Sequence, residues 1–180
     1  MPRDCDDFER RARPGVHLGP GHAYPESHVA RPHRYQPAGG MFHITTRGNR
    51  QKSVYWDDAD RRLFLRIYRR VLRQERWDQL GWCLMSNHYH LIVATPTESL
   101  ARGMQMLNGL YARRFNARHL FEGHLFERRY DSRFIDSDEQ LEETVRYVAF
   151  NPVRAGLCES PVDWPWSSFF GAARRFVFDR

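Results

Sequence analysis

Leu84-Met85-Ser86-Asn87-His88-Tyr89-His90-Leu91-Ile92-Val93 is the stretch on which the fold turns. Side chains of an extended strand alternate between its two faces, so His88 and His90 project side by side while Tyr89, Leu91 and Val93 line the other face. Just upstream, Leu80, Trp82 and Leu84 alternate with Gly81, Cys83 and Met85, which reads as a preceding strand. Only Ser86-Asn87 is left to connect the two, and Asn tolerates the backbone of a tight turn, so the pair forms a hairpin. The hairpin fixes where both imidazoles point. Two histidines on one sheet face make a possible metal site, and they are equally compatible with hydrogen-bonded core residues.

Outward from the hairpin, Met41-Phe42-His43-Ile44-Thr45-Thr46 reads as the first strand, ended by the turn signal and cations of Arg47-Gly48-Asn49-Arg50. Asp57 or Asp58 caps a helix with an acidic first turn and arginines later, and Phe64, Ile67, Tyr68 and Val71 form its core stripe. After the histidine strand, Thr95-Pro96-Thr97-Glu98 has a capping-box pattern, followed by Leu100, Met104, Leu107, Tyr111 and Phe115 at helical spacing. Gly123 to Ile135 reads as a loop entering a strand, with arginines interleaved with aromatics. Ser137-Asp138-Glu139-Gln140 is a second capping box, opening a helix that must stop near Asn151 because Pro152 disfavours helical geometry before it. Trp164-Pro165-Trp166 reads as a C-terminal element covering the sheet edge, with base stacking as the alternative. Residues 1–30 hold Pro14, Pro20 and Pro25 without apolar periodicity and are expected to be a flexible tail, leaving 31–180 as one domain.

The 180 residues carry a net charge of +6 with a pI near 9.6, and among 28 basic residues Lys52 is the one lysine. Such a balance points to an anionic partner, nucleic acid being the commonest. Cys5, Cys83 and Cys158 are scattered, with no C-x-x-C spacing, so neither a disulfide framework nor a cysteine zinc site is indicated. No apolar run is long enough to cross a bilayer, and a cytoplasmic, nucleoid-associated protein is expected.

On the last helix, Leu141, Val145 and Val148 give the packing stripe, while Tyr147 and Asn151, four apart, share a separate one. A phenol and an amide stacked in this way can be a surface pair or part of a site. Taken in order, Tyr35 to Arg50, Cys83 to Val93, Gly123 to Phe126, Tyr147 to Leu157 and Asp163 to Ser168 closely resemble the single-tyrosine HUH transposases, specifically the REP-associated tyrosine transposase branch. The departures are Ser86, where relatives often have proline, and the long tail.

The resemblance implies an α/β (α+β) ferredoxin-like fold: a mainly antiparallel sheet of four or five strands with helices packed on it and the histidine strand central. It implies His88 and His90 as metal ligands, Asn151 as the third, and Tyr147 as the nucleophile. The metal it suggests is divalent, magnesium or manganese. The reaction it implies is cleavage of single-stranded or hairpin DNA, such as REP-like palindromes, through a 5′-phosphotyrosine that a 3′-hydroxyl later displaces. Arg47, Arg50, Arg128, Arg129 and Arg133 are the candidate DNA contacts, on a monomer or homodimer. Two rival expectations are a nucleic-acid-binding protein that retains the scaffold with little catalysis, and a metal phosphodiesterase that uses water, with Tyr147 structural.

Overall fold

The structure, a computed structural model, describes residues 37–171. The expected tail, residues 1–30, lies outside them. Within the described residues four strands form one sheet: β1 (Gly40–Arg47), β2 (Asp78–Leu84), β3 (His88–Thr95) and β4 (Asp131–Ile135), in the order β2-β3-β1-β4. Every neighbouring pair is antiparallel. Helix α1 (Asp58–Glu75) connects β1 to β2, and α2 (Leu100–His119) connects β3 to β4. This β-α-β-β-α-β sequence with the first and third strands central is the ferredoxin-like arrangement. A further helix, α3 (Asp138–Ala149), and a single turn, α4 (Asn151–Arg154), follow β4.

The alternation of each strand builds two cores. Phe42, Ile44, Tyr89, Leu91, Val93 and Leu84 face α1 and α2, where they meet Phe64, Tyr68, Leu107 and Tyr111 in the larger cluster. Ile92, Cys83 and Ile135 face the other way and pack under Val148 and Ala149 of α3. The histidine pair lies on this second face, in the central strand.

Helix ends explain where the chain turns. Asp57 caps α1 by accepting from the Asp60 amide at 2.9 Å, and Arg76, at φ 56°, closes the helix in the left-handed region. Ser137 caps α3 by accepting from the Gln140 amide, while the Gln140 side chain accepts from the Asp136 amide. The expected cap at Thr95 does not form. Thr95 is the last residue of β3, paired with Gly40, and α2 starts at Leu100 with Ser99 at its cap position. At the other end of the chain, the Trp-Pro-Trp segment shields the β2 edge: Leu84 N donates to Trp166 O at 2.8 Å, Ser168 N to Trp82 O at 2.9 Å, and the Trp164 indole to Leu84 O at 3.0 Å. Backbone groups of an edge strand that would otherwise template another chain are thereby paired.

Candidate active site

Strand register decides what meets on the α3 face. His90 is paired with Thr45 and His88 with Arg47 across β1, and His43 with Arg133 across β4. Residues two apart share a face, so His88, His90, His43, Arg47 and Arg133 all belong to this side of the sheet. The rings of His88 and His90 lie 5.0 Å apart, nearly perpendicular. His43, which the sequence reading did not select, stacks on His90 at 5.2 Å and bonds it, Nε2 to Nδ1, at 3.0 Å. The signal for His43 was its alternation in β1 with Thr45 and Arg47, but the pairing that brings it to His90 is not local.

Hydrogen bonding fixes the ring states. The Asn87 amide nitrogen must face the Gln51 carbonyl, which only accepts, at 3.2 Å, so Asn87 Oδ1 faces His88 Nδ1 at 2.6 Å. His88 Nδ1 therefore carries the proton and Nε2 the lone pair. His90 has Nδ1 engaged by His43, while its Nε2 is buried and has no hydrogen-bond partner. A buried polar atom left so is costly and calls for an unseen partner. Burial pushes the His43 and His88 imidazoles down from 6.5 to about 4, helped by Arg133 and Arg47 respectively, and a hydrogen bond between His88 and Asn151 opposes the shift in His88. His90 is lowered well below 6.5, by burial first and then by His88 and His43. All three rings are neutral at neutral pH, the state in which imidazole binds metal.

The helical side of the site comes from α3 and α4. Pro152 has no amide proton, so the helix cannot continue its ladder; it breaks at Phe150 and resumes for one turn. Tyr147 and Asn151 therefore sit on either side of the break. The Tyr147 ring meets His90 edge-on at 5.7 Å and His43 at 6.0 Å. Asn151 is 2% exposed and reaches the His88 ring, so the pair is no surface feature. Arg154, another residue the sequence reading passed over, lies 5.0 Å over the Tyr147 ring and donates to the Tyr147 carbonyl at 3.1 Å. The structure thus brings together His88, His90, Tyr147 and Asn151, and adds His43 and Arg154.

The five candidate arginines divide. Arg47 and Arg133 stand opposite site histidines. Arg50 is exposed in the 3₁₀ turn after β1, at φ 52°. Arg128 is held by Asp131 at 2.8 Å, and Arg129 is exposed, its carbonyl accepting from Asn108.

The metal expectation can be tested on the donors. Among the described residues no group of three or more His, Cys, Asp or Glu side chains is placed to hold a metal ion. A site built from the expected ligands would consist of two imidazoles and an amide, a set outside such a group. The orphaned His90 Nε2, the His88 lone pair and the buried Asn151 amide fit such a cation, and their neutrality leaves its full charge for an anionic ligand.

Residues 38–151 match the family model for IS200-like transposases. A Haemophilus influenzae protein provisionally named a REP-associated tyrosine transposase is 25% identical over 143 residues, covering 73% of this chain and 80% of the relative. The solved structure of a REP-associated tyrosine transposase bound to a REP hairpin matches with a TM-score of 0.68 at 20% identity, over 81% of this chain and 87% of that one. That likeness is one of fold. Among the described residues no helix is long and apolar enough to cross a membrane.

Proposed function

The chain belongs to the IS200-like transposase family, and on that premise we propose that it cleaves and rejoins single-stranded or hairpin DNA with Tyr147 as nucleophile. The observation that carries the reading is convergence on one buried face: the Tyr147 ring beside His90, with Asn151 against His88. The relative captured on a REP hairpin supports a hairpin substrate of REP-like palindromes.

His88, His90 and Asn151 would hold a divalent metal, magnesium or manganese. When bound, the cation supplies Lewis-acid neutralisation of the non-bridging phosphate oxygens. Asn87 and His43 keep the two imidazoles oriented by occupying their Nδ1 atoms. Arg47 and Arg133 add positive charge on the same face. Arg154, stacked on the Tyr147 ring, restrains the orientation of the phenol.

In the cleavage step Tyr147 Oη bonds to phosphorus as the bond from phosphorus to the 3′ oxygen breaks. The phenol loses its proton, and the departing oxygen gains one to become a free 3′-hydroxyl. The product is a 5′-phosphotyrosine. Phenol, with a pKa near 10, leaves more readily than an alkoxide, so a 3′-hydroxyl can displace Tyr147 and reseal DNA without a nucleotide cofactor. The energy of the broken linkage is conserved in the protein–DNA bond.

Incubation with manganese and a labelled REP-like hairpin, followed by denaturing electrophoresis, tests the proposal. Wild type is expected to yield a protein–DNA adduct, Tyr147→Phe none, and His88→Ala little adduct with much of the DNA affinity kept. Cleavage without an adduct would support the water mechanism instead, and DNA that is shifted but uncut would support a binding module.

A further inference from the structure

On the helix side of the sheet end lies a cavity of about 120 Å³, separate from the face that carries Tyr147. Its apolar wall consists of Trp56, Phe115 and Phe121, and its rim carries Arg50, Lys52 and His124. Among the described residues no acidic side chain lines it. We propose that this cavity takes one unpaired pyrimidine base of the DNA strand, stacked on Trp56, with the rim cations on the adjoining phosphates. The inference rests on the reading of DNA as substrate and extends it to how the strand is held.

Four observations carry it. The first is exposure: Trp56 is 55% exposed although it is among the largest apolar side chains, and its ring is nevertheless fixed. Phe115 meets it edge-on at 5.3 Å, Phe121 edge-on at 6.3 Å, and His119 packs at 4.4 Å. An aromatic ring held rigid and left open to solvent is a stacking platform for a base.

The second is size. A closed apolar cavity of roughly 150 Å³ takes up benzene, so a space of about 120 Å³ that opens to solvent matches a single six-membered ring better than the fused rings of a purine. The third is charge. Arg50 and Lys52 are exposed cations at the rim, with the His124 side chain beside them, where the phosphates flanking an inserted base would lie.

The fourth is construction. The two loops that form the walls are tied by their backbones, Asn49 N to Leu125 O at 2.9 Å and Glu127 N to Arg47 O at 3.1 Å. Arg50 and Gln51 both hold left-handed backbone, at φ 52° and 59°. The same loop is joined to the catalytic face, because Asn87 bonds Gln51 O with its amide nitrogen and His88 with its oxygen. A base seated here is therefore held by a loop directly connected to a candidate metal ligand.

The test uses fluorescently labelled oligo-dT, oligo-dC, oligo-dA and an abasic strand of equal length, titrated with the full chain in a polarisation assay. Wild type is expected to bind oligo-dT and oligo-dC more tightly than oligo-dA and the abasic strand. Trp56→Ala is expected to weaken the pyrimidine strands by roughly 5- to 150-fold, the range of one lost base stack, and to leave the abasic strand unchanged. Trp56→Phe is expected to keep the order of preference, which guards against a folding defect in the alanine variant. Lys52→Ala is expected to lower the slope of log affinity against log salt by about one on every strand. Equal weakening of all four strands by Trp56→Ala, or tighter binding of oligo-dA than oligo-dT, overturns the inference. Adduct formation with Tyr147 on a hairpin reports separately: a Trp56-dependent pyrimidine preference without adduct removes the transferase reading alone, and adduct without that preference removes the pocket alone.

Discussion

Acid should begin to destabilise this protein above the pH at which its carboxylates are protonated, because three neutral histidines are built into one face of the sheet. Folding lowers His43 and His88 from 6.5 to about 4, and His90 well below 6.5 in the same direction. In the unfolded chain each takes up a proton near pH 6.5, while in the folded chain His43 and His88 do not until about 4 and His90 is likewise held neutral well below 6.5. The unfolded state thus binds more protons across this window. The stabilising contribution is fully present above pH 6.5 and is lost as pH falls toward 4. Each shift corresponds to about 3 kcal/mol, so His43 and His88 together remove about 6 kcal/mol on an order-of-magnitude reckoning. The total stability of a domain is about 5–15 kcal/mol.

The assay is urea denaturation at a series of pH values from neutrality down to about 5, above the ordinary range for aspartate of about 3.9. Unfolding free energy should fall by about 1.4 kcal/mol per pH unit for each histidine engaged, and His43→Gln should reduce the slope by about that amount. A flat profile across this range, or an unchanged slope in His43→Gln, would refute the placement of these rings in a buried, uncompensated setting.

Asn87→Ala, which frees His88 Nδ1 and the Gln51 carbonyl, should weaken metal-induced thermal stabilisation by about 10- to 100-fold in manganese concentration; an unmoved midpoint would deny Asn87 its orienting role. Gly103→Ala places a methyl group against the Trp77 ring, which is pinned by its indole bond to Ser99 at 2.8 Å. A loss of about 1–3 kcal/mol in equilibrium unfolding is expected, and a neutral effect would show that the helix and Trp77 can part freely. DNA affinity should fall steeply with salt, giving a linear log–log plot; a salt-independent affinity would contradict phosphate contact by the arginine face.

Much of the sheet could be read from local pattern. The alternation in β2 and β3, with three residues between them, specified the hairpin, and the apolar stripes of α1 and α2 specified which faces pack. Phe64, Tyr68, Val71, Leu100, Met104, Leu107, Tyr111 and Phe115 are all buried as that spacing requires, with Ile67 half-buried. Thr95 was misread because a capping box is a local pattern and sheet pairing is not: its hydroxyl bonds the Gly40 carbonyl across the sheet. His43 was missed for the same reason, since β1 meets β3 only after a 40-residue excursion through α1 and β2. Pro152 correctly marked the end of a helix, but not the resumption that buries Asn151. Helical spacing put Tyr147 on a stripe apart from Leu141, Val145 and Val148, yet its ring packs against the same second cluster. The family resemblance supplied roles for Tyr147 and Asn151 that spacing alone left open.

The central claim, that Tyr147 becomes covalently joined to DNA, is tested most directly by mass spectrometry of the protease-digested adduct formed with manganese and a REP-like hairpin. The account predicts a nucleotide phosphate on the peptide containing Arg146-Tyr147-Val148, attached to the tyrosine, and a free 3′-hydroxyl on the released strand. Attachment to any other residue, or a cleaved hairpin with no modified peptide, would contradict it.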